Sequence, residues 1–297
     1  MQRPERSQPI RGATSAPTTR VLDIVELLAR PGNEQLRFSD VVRELGLTQA
    51  TAHGILMTLT DRGWITRDPL TKSFALGPGL AVVAARLPAA RPQVEAATAM
   101  ARQMCAEFGH PASVVERTGD TLLITAFESA ERGGPSSSGD RIPYCPPFGV
   151  AFAAWESDAG QRAWIDRGAG PDADLAARLR DVLARTRRRG FDVDWTTPAL
   201  TDAARVMGTL PSDGLPPQVR QLMDRLLAEF TTIGMLSAEA GPPRPVATIA
   251  APVFDANGQV ALIVGVHPLQ TLSEERIGAI GRRLVQLTGS ANYDSAQ

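Results

Sequence analysis

The chain has 297 residues, enough for two domains with separate cores and too many for one small domain. Hydrophobic residues at 43% and charged residues at 21% lie near ordinary globular usage, which excludes a wholly disordered chain. The net charge of -1 hides an asymmetry: residues 1–90 carry 11 basic and 8 acidic side chains, and the remainder 20 basic and 24 acidic. A mildly basic front on a mildly acidic remainder suits a nucleic-acid reader joined to a neutral module. All basic residues except Lys72 are arginines, a coding bias that makes arginine content alone a poor sign of function.

Cys105 and Cys145 stand far apart with no CxxC spacing, so neither a disulfide framework nor a zinc site is expected, and a reducing cytoplasm is the expected compartment. Residues 1–17 are polar, with Ile10 as their one aliphatic side chain in the middle, and read as a flexible tail without a secretory core. No apolar run approaches the roughly 20 residues of a membrane helix, so no membrane association is expected.

Along the chain, Leu22, Val25 and Leu28 predict a helix from Thr19, stopped by Pro31 and Gly32. Ser39 is the expected cap of a second helix through Val41, Val42 and Leu45, and Gly46 ends it. Thr48 then caps a third helix, whose Ala52, Ile55, Leu56 and Leu59 form one apolar stripe, with Gly63 closing it. Helix, short turn, helix is a helix-turn-helix. Residues 64–67 and 73–76 flank the turn 68–72 as a β-hairpin in the wing position. Residues 78–91 form an Ala-rich linker helix. A long helix from Pro92 carries Val94, Ala97, Ala101, Met104 and Phe108 and stops at Gly109.

Strands are predicted at 112–116 and 121–127, then a Gly/Ser-rich surface loop at 129–139. Helices follow at 148–155, 158–167 and 172–189, and a short strand at 191–193. A further helix from Pro217 has Val219, Met223, Leu226 and Phe230 as its stripe. A hairpin at 246–254 and 260–266 turns at Asn257 and Gly258. Ser273 opens a terminal helix with Ile277, Ile280, Leu284 and Leu287 inward. The whole is α+β: a winged helix-turn-helix at 18–77, the linker helix, and at 92–297 an antiparallel sheet flanked by helices.

The stretch from Thr19 to Leu80, with Arg20-Val21-Leu22-Asp23-Ile24, Leu45-Gly46-Leu47, Thr51-Ala52-His53 and Asp61-Arg62-Gly63-Trp64-Ile65, resembles the winged helix-turn-helix of IclR-type bacterial transcription regulators. The later pieces Arg141-Ile142-Pro143, Arg189-Gly190-Phe191-Asp192-Val193-Asp194, Ala250-Ala251-Pro252-Val253-Phe254-Asp255 and Leu272-Ser273-Glu274-Glu275-Arg276 match in the same order. The resemblance implies a GAF-like effector-binding domain after the reader, an insertion near 196–245, and homodimers or homotetramers on double-stranded operator DNA. It implies no enzyme activity, cofactor or metal. Two departures stand out. Where recognition helices of the family offer Lys-Ser-Thr-Val-His-Arg, this chain has Gln49-Ala50-Thr51-Ala52-His53-Gly54, two cations fewer. Where the pocket-flanking helix reads His-Ala-Thr-Ala-Leu-Gly-Lys-Ala, it has Cys145-Pro146-Pro147-Phe148-Gly149-Val150-Ala151.

The expected DNA-facing residues are Gln49, Ala50, Thr51, His53, Gly54 and Thr58 on the third helix, with Arg67 and Lys72 on the wing. They lie off the apolar stripe, where base edges need hydrogen-bonding partners, and a solvated helix face is the alternative. Arg3, Arg6 and Arg11 could add phosphate contacts. For the effector, Tyr144, Cys145, Phe148 and Phe152 flank a helix start whose backbone N–H groups could hold a carboxylate. The resemblance puts Thr248 and Gly265 on strands beside them, with Glu116 or Phe127 opposite, and the departures point to a relatively apolar effector. A plain hydrophobic core is the alternative. Cys145 and His267 are the one pair that could suggest a thiol enzyme, and nothing in the sequence brings them together. The rival to a regulator is a ligand-binding or interaction module whose DNA reader has weakened.

Overall fold

The computed structural model describes residues 15–30, 33, 35–129, 138–196 and 245–294. The tail arginines, most of the Gly/Ser-rich loop and the insertion with its stripe from Val219 to Phe230 lie outside these residues. The chain divides between Leu87 and Pro88 into two compact units.

In the first unit, α1 (Ala16–Leu28), β1 (Leu36–Arg37), α2 (Phe38–Leu45), α3 (Gln49–Asp61), β2 (Ile65–Arg67), β3 (Ser73–Leu76) and α4 (Pro78–Ala84) follow in order. Ile24, Leu27 and Leu28 of α1, Val41 of α2, Leu56 and Leu59 of α3, and Ile65 and Phe74 of the hairpin bury one core. The expected stripe of α1 is rotated, because Leu28 is buried but Leu22 is 54% exposed. Helix α2 starts one residue before the expected cap. Ser39 lies inside it, and Asp40 takes the Arg37 N–H at 3.0 Å. Thr48 does cap α3, its Oγ1 accepting from the Thr51 N–H at 3.2 Å. Leu36 and Arg37, not expected as a strand, pair with β3 and give a three-stranded sheet in the order β1-β3-β2. Gly77 is required where the wing returns, because a Cβ there would lie 2.4 Å from the Gly63 carbonyl oxygen. The linker is two helices, α4 and the short α5 (Leu87–Ala90).

The second unit continues with α6 (Pro92–Phe108), β4 (Ala112–Thr118), β5 (Thr121–Glu128), β6 (Arg141–Pro143), α7 (Val150–Ala153), α8 (Asp158–Ala169), α9 (Ala173–Arg189) and β7 (Asp192–Trp195). It ends with β8 (Pro245–Phe254), β9 (Val260–Val266), β10 (Gln270–Thr271) and α10 (Glu274–Asp294). The antiparallel sheet runs β8-β9-β4-β5-β6, and both β7 and β10 pair with β8.

Both sheet faces are covered, and strand alternation assigns the residues. Ile249, Ala251 and Val253 of β8 and Leu262, Val264 and Val266 of β9 meet Ala97, Ala101 and Met104 of α6 and Ile277, Ile280 and Leu284 of α10. Ala250 and Ile263 turn the other way, onto Phe152, Trp164, Leu179 and Leu183 from α7, α8 and α9. The helix expected at 148–155 is shorter, only Val150–Ala153. Pro146 and Pro147 lack the N–H a helix needs, and Gly149 sits at φ 83, so a turn with Phe148 N–H donating to the Cys145 carbonyl replaces the first turns. Ile280 is fully buried between α10 and β8, so Ile280→Ala should lower unfolding stability by about 2–5 kcal/mol in chemical denaturation.

Candidate functional site

Most of the residues expected on α3, and both expected on the wing, are exposed. Burial of Ala52, Leu56 and Leu59 turns Gln49, Ala50, His53, Gly54, Met57 and Thr58 outward, all of them exposed. Met57, absent from the expected set, is 42% exposed one turn beyond His53 and Gly54, and its distance from the stripe was the signal. Thr51 differs. It is half-buried and its hydroxyl lies 2.8 Å from Thr48 Oγ1, so much of its bonding capacity goes to the cap. Thr58 Oγ1 donates to the Gly54 carbonyl at 2.8 Å and keeps its lone pairs outward. His53 packs edge-on to Phe38. A Cβ added at Gly54 would meet nothing within 4 Å, so no neighbour in the chain demands the glycine. A polar groove lined by Thr19, Arg20, Asp23, Gly46, Thr48 and Thr51 opens at the N-terminus of α3.

The wing turn is held by Asp68, whose carboxylate accepts from the Leu70 and Thr71 N–H groups at 2.7 and 2.8 Å. Those bonds, Thr71's first, hold its carboxyl below the usual range. Lys72 follows at φ 60, and Leu70 is 89% exposed at the tip. The Arg67 guanidinium lies 5.5 Å from the Phe74 ring centre. Arg43 is tied to Asp40 at 3.0 Å.

The residues expected around an effector fall into two groups. Tyr144 and Phe152 are buried in the α7–α9 core with Phe148 packed beside them, and the Phe148 carbonyl accepts from Trp164 Nε1 at 3.0 Å. Arg117 and Arg167 lie over the Tyr144 ring at 4.6 and 5.1 Å. Burial pushes the Cys145 thiol up, away from an activated thiolate. With α7 a single turn, the expected carboxylate site at a helix start has no helix to supply it. Glu116 does not face this region either: it pairs with Arg91 at the wall of a cavity on the α6 side of the sheet, together with Val94, Met100 and Leu262.

Phe127, Thr248 and Gly265 form the second group, gathered by strand pairing with three residues the expected set lacked. Ser113 stands opposite both Phe127 and Gly265, and Asp194 opposite Thr248. The His267 ring lies among them. Its Nε2 is 2.8 Å from Ser113 Oγ, its Nδ1 is 3.1 Å from Thr248 Oγ1, and Phe127 stacks on it at 6.0 Å. Burial alone pushes the imidazole pKa down to about 4. Asp194 Oδ1 is buried without a hydrogen-bond partner, and burial, then Asp192, raises its carboxyl well above the ordinary value. Asp192 is matched instead, accepting from Thr186 Oγ1 at 3.0 Å. Sequence reading missed Ser113, Asp194 and His267 because the row's members lie on five separate segments. Among the described residues no group of three His, Cys, Asp or Glu side chains is placed to hold a metal, and no helix is long and apolar enough to cross a membrane.

A neutral His267 in the folded chain, against an ordinary 6.5 when unfolded, means the unfolded chain binds the extra proton between those values. Its contribution to stability is therefore full above about pH 6.5 and falls as pH drops toward 4. His267→Gln should flatten that limb in denaturation midpoints measured from about pH 7.5 to about pH 4.5.

The family model for the IclR helix-turn-helix domain matches residues 17–69, spanning α1 through the wing. The HTH-type transcriptional regulator BhcR of Paracoccus denitrificans is 25% identical over 278 residues, covering 93% of this chain and 86% of that protein. The structure of an IclR transcriptional regulator from Alicyclobacillus acidocaldarius superposes with a TM-score of 0.65 at 18% identity, over 95% of this chain and all of that one. An IclR homolog from Microbacterium hydrocarbonoxydans, solved with 4-hydroxybenzoate, gives 0.62 at 17% identity, over 94% and all of the respective chains. At such identities the two structures establish the fold.

Proposed function

Because the chain is an IclR-type, DNA-binding transcription regulator, we propose that α3 reads operator base edges in the major groove through Gln49, Ala50, His53, Gly54 and Thr58. Arg67 and Lys72 of the wing meet the backbone or minor groove beside it. The observation that carries this reading is the contiguous exposed face of α3 behind a fully buried stripe, inside the segment that matches the family's reader. Thr51 contributes chiefly by holding the helix start, next to a groove where Arg20 and the first N–H groups of α3 suit a phosphate. Leu22, Val82, Val83 and Leu87 are exposed apolar side chains of the same unit, which supports pairing with a second copy and a two-fold operator.

The second unit is the effector domain of this proposal, and the row of Ser113, Phe127, Asp194, Thr248, Gly265 and His267 is its ligand face. Tyr144, Phe148 and Phe152, packed in the core, and the half-buried Cys145 form supporting wall. A ligand that prefers one arrangement of the paired readers shifts operator affinity by its differential binding, which is all the linkage requires. We place the regulator in the cytoplasm, with no catalytic step.

Gln49→Ala should lose roughly 1–3 kcal/mol of discrimination between operator and unrelated DNA in fluorescence anisotropy with the chain's own upstream DNA. Unchanged specific and non-specific affinities would remove α3 as the reader. Gly54→Ala should stabilise α3 by up to about 1 kcal/mol, since the added methyl meets nothing, yet weaken operator binding where DNA approaches the backbone. The few cations on this surface imply a modest log-log salt slope for a dimer, on the order of -3 to -7. A slope beyond about -10 would show that other arginines dominate.

A further inference from the structure

We propose that the cavity between the start of α6 and the neighbouring end of the β8–β9 hairpin is a second small-molecule site, taking an uncharged, largely apolar molecule whose hydroxyl donates to Glu116. The cavity and the polar row lie on opposite faces of the sheet, so this proposal stands or falls apart from the ligand face.

The cavity measures about 850 Å³ and lies wholly within the second unit. That is within the range of roughly 300–1,000 Å³ in which clefts bury a small ligand. Val94 and Met100 of α6, Val253 of β8, Leu262 of β9 and Leu287 of α10 make its walls mostly apolar. The β8–β9 ladder shifts register between Val253 and Phe254, and here Phe254 reaches the cavity beside Val253 and Ala261 beside Leu262. Strict alternation would send one residue of each pair to the other face.

One carboxylate interrupts these walls. Glu116 follows Ala112 and Val114 at every second position of β4, so it stands on their face of the sheet, across from Leu262. It is only 9% exposed. Its Oε2 accepts from the guanidinium of Arg91, the residue that precedes α6, and its Oε1 is buried without a hydrogen-bond partner. A strap from Arg91 to the sheet needs one oxygen and leaves the other in want of a donor. A buried acceptor without a donor is costly, and a ligand O–H entering the cavity removes the cost.

The same ion pair sets the charge of the occupant. Arg91 already balances Glu116, so a cationic ligand would meet the guanidinium beside the carboxylate. A carboxylate ligand would lose its hydration against apolar walls and face Glu116. A hydroxyl on an apolar body matches both the unpartnered oxygen and the walls.

The test is fluorescence titration of the full chain with 2-naphthol, 2-methoxynaphthalene and 2-naphthoate, which share one ring system and differ in donor and charge. 2-Naphthol should bind at least about tenfold more tightly than either of the others. Glu116→Leu places an apolar side chain in line with Ala112 and Val114 and leaves nothing to accept the O–H, so naphthol and its methyl ether should then bind within about twofold of each other. Ala261→Trp fills the cavity and should weaken naphthol by about tenfold or more, and it decides with the wild-type ranking if Glu116→Leu does not fold. Equal binding of naphthol and the ether by the wild-type chain, or a preference that survives Glu116→Leu, would overturn the proposal. So would the absence of naphthol binding. Naphthol binding lost in His267→Gln and kept in Ala261→Trp would put the molecule on the polar row and overturn the second site.

Discussion

The second unit depends on the antiparallel pairing of β9 with β8 on one side and β4 on the other. Because successive side chains alternate faces, one register fixes both cores at once: Leu262, Val264 and Val266 go to α6 and α10, and Ile263 goes to α7, α8 and α9. The same register carries Gly265 to a point between Ser113 and Ala250. A slip of one residue would put valine in the glycine's place, and the polar row would be lost with the cores. Recognition chemistry and packing are thus set by one ladder of backbone hydrogen bonds.

That row is built from neutral parts. His267 is kept uncharged by burial, its two nitrogens are matched to hydroxyls, and Arg117 and Arg167 are engaged over Tyr144 and on Glu156 and Asp120. Desolvation favours the neutral form of every group in it. On the proposed reading, a ligand of this sheet face is selected by hydrogen-bond direction and shape rather than by charge.

The first unit solves a different problem with similarly sparing means. Its recognition helix has no lysine or arginine, and its start is stabilised by the Thr48–Thr51 pair. On the proposed reading, selectivity falls to Gln49, His53 and the close approach that Gly54 permits, while non-specific attraction rests on few side chains around the helix, Arg20 and Arg62 among them, and on the wing pair Arg67 and Lys72. Weak phosphate attraction lets a small effector-linked change in reader geometry count for more, since less affinity is independent of geometry.

The amino-acid sequence by itself determined whatever depends on neighbours a few residues apart. The helical spacing of Ala52, Leu56 and Leu59, the Thr48 cap, the wing turn, the strand alternation of β8 and β9 and the stop at Gly109 are local rules of backbone geometry, and they sufficed for the α+β class and the reader. Local spacing failed where a competing local feature was misweighed. Pro146, Pro147 and Gly149 shortened α7, and Leu22 fell outside a stripe that packing rotated toward Ile24. Only the tertiary structure brought the polar row on the sheet together. Ser113, Asp194, Thr248 and His267 are distant in sequence and meet because β7, β8, β9 and β4 are neighbours in one sheet, a pairing made by contacts between segments that no spacing along the chain encodes.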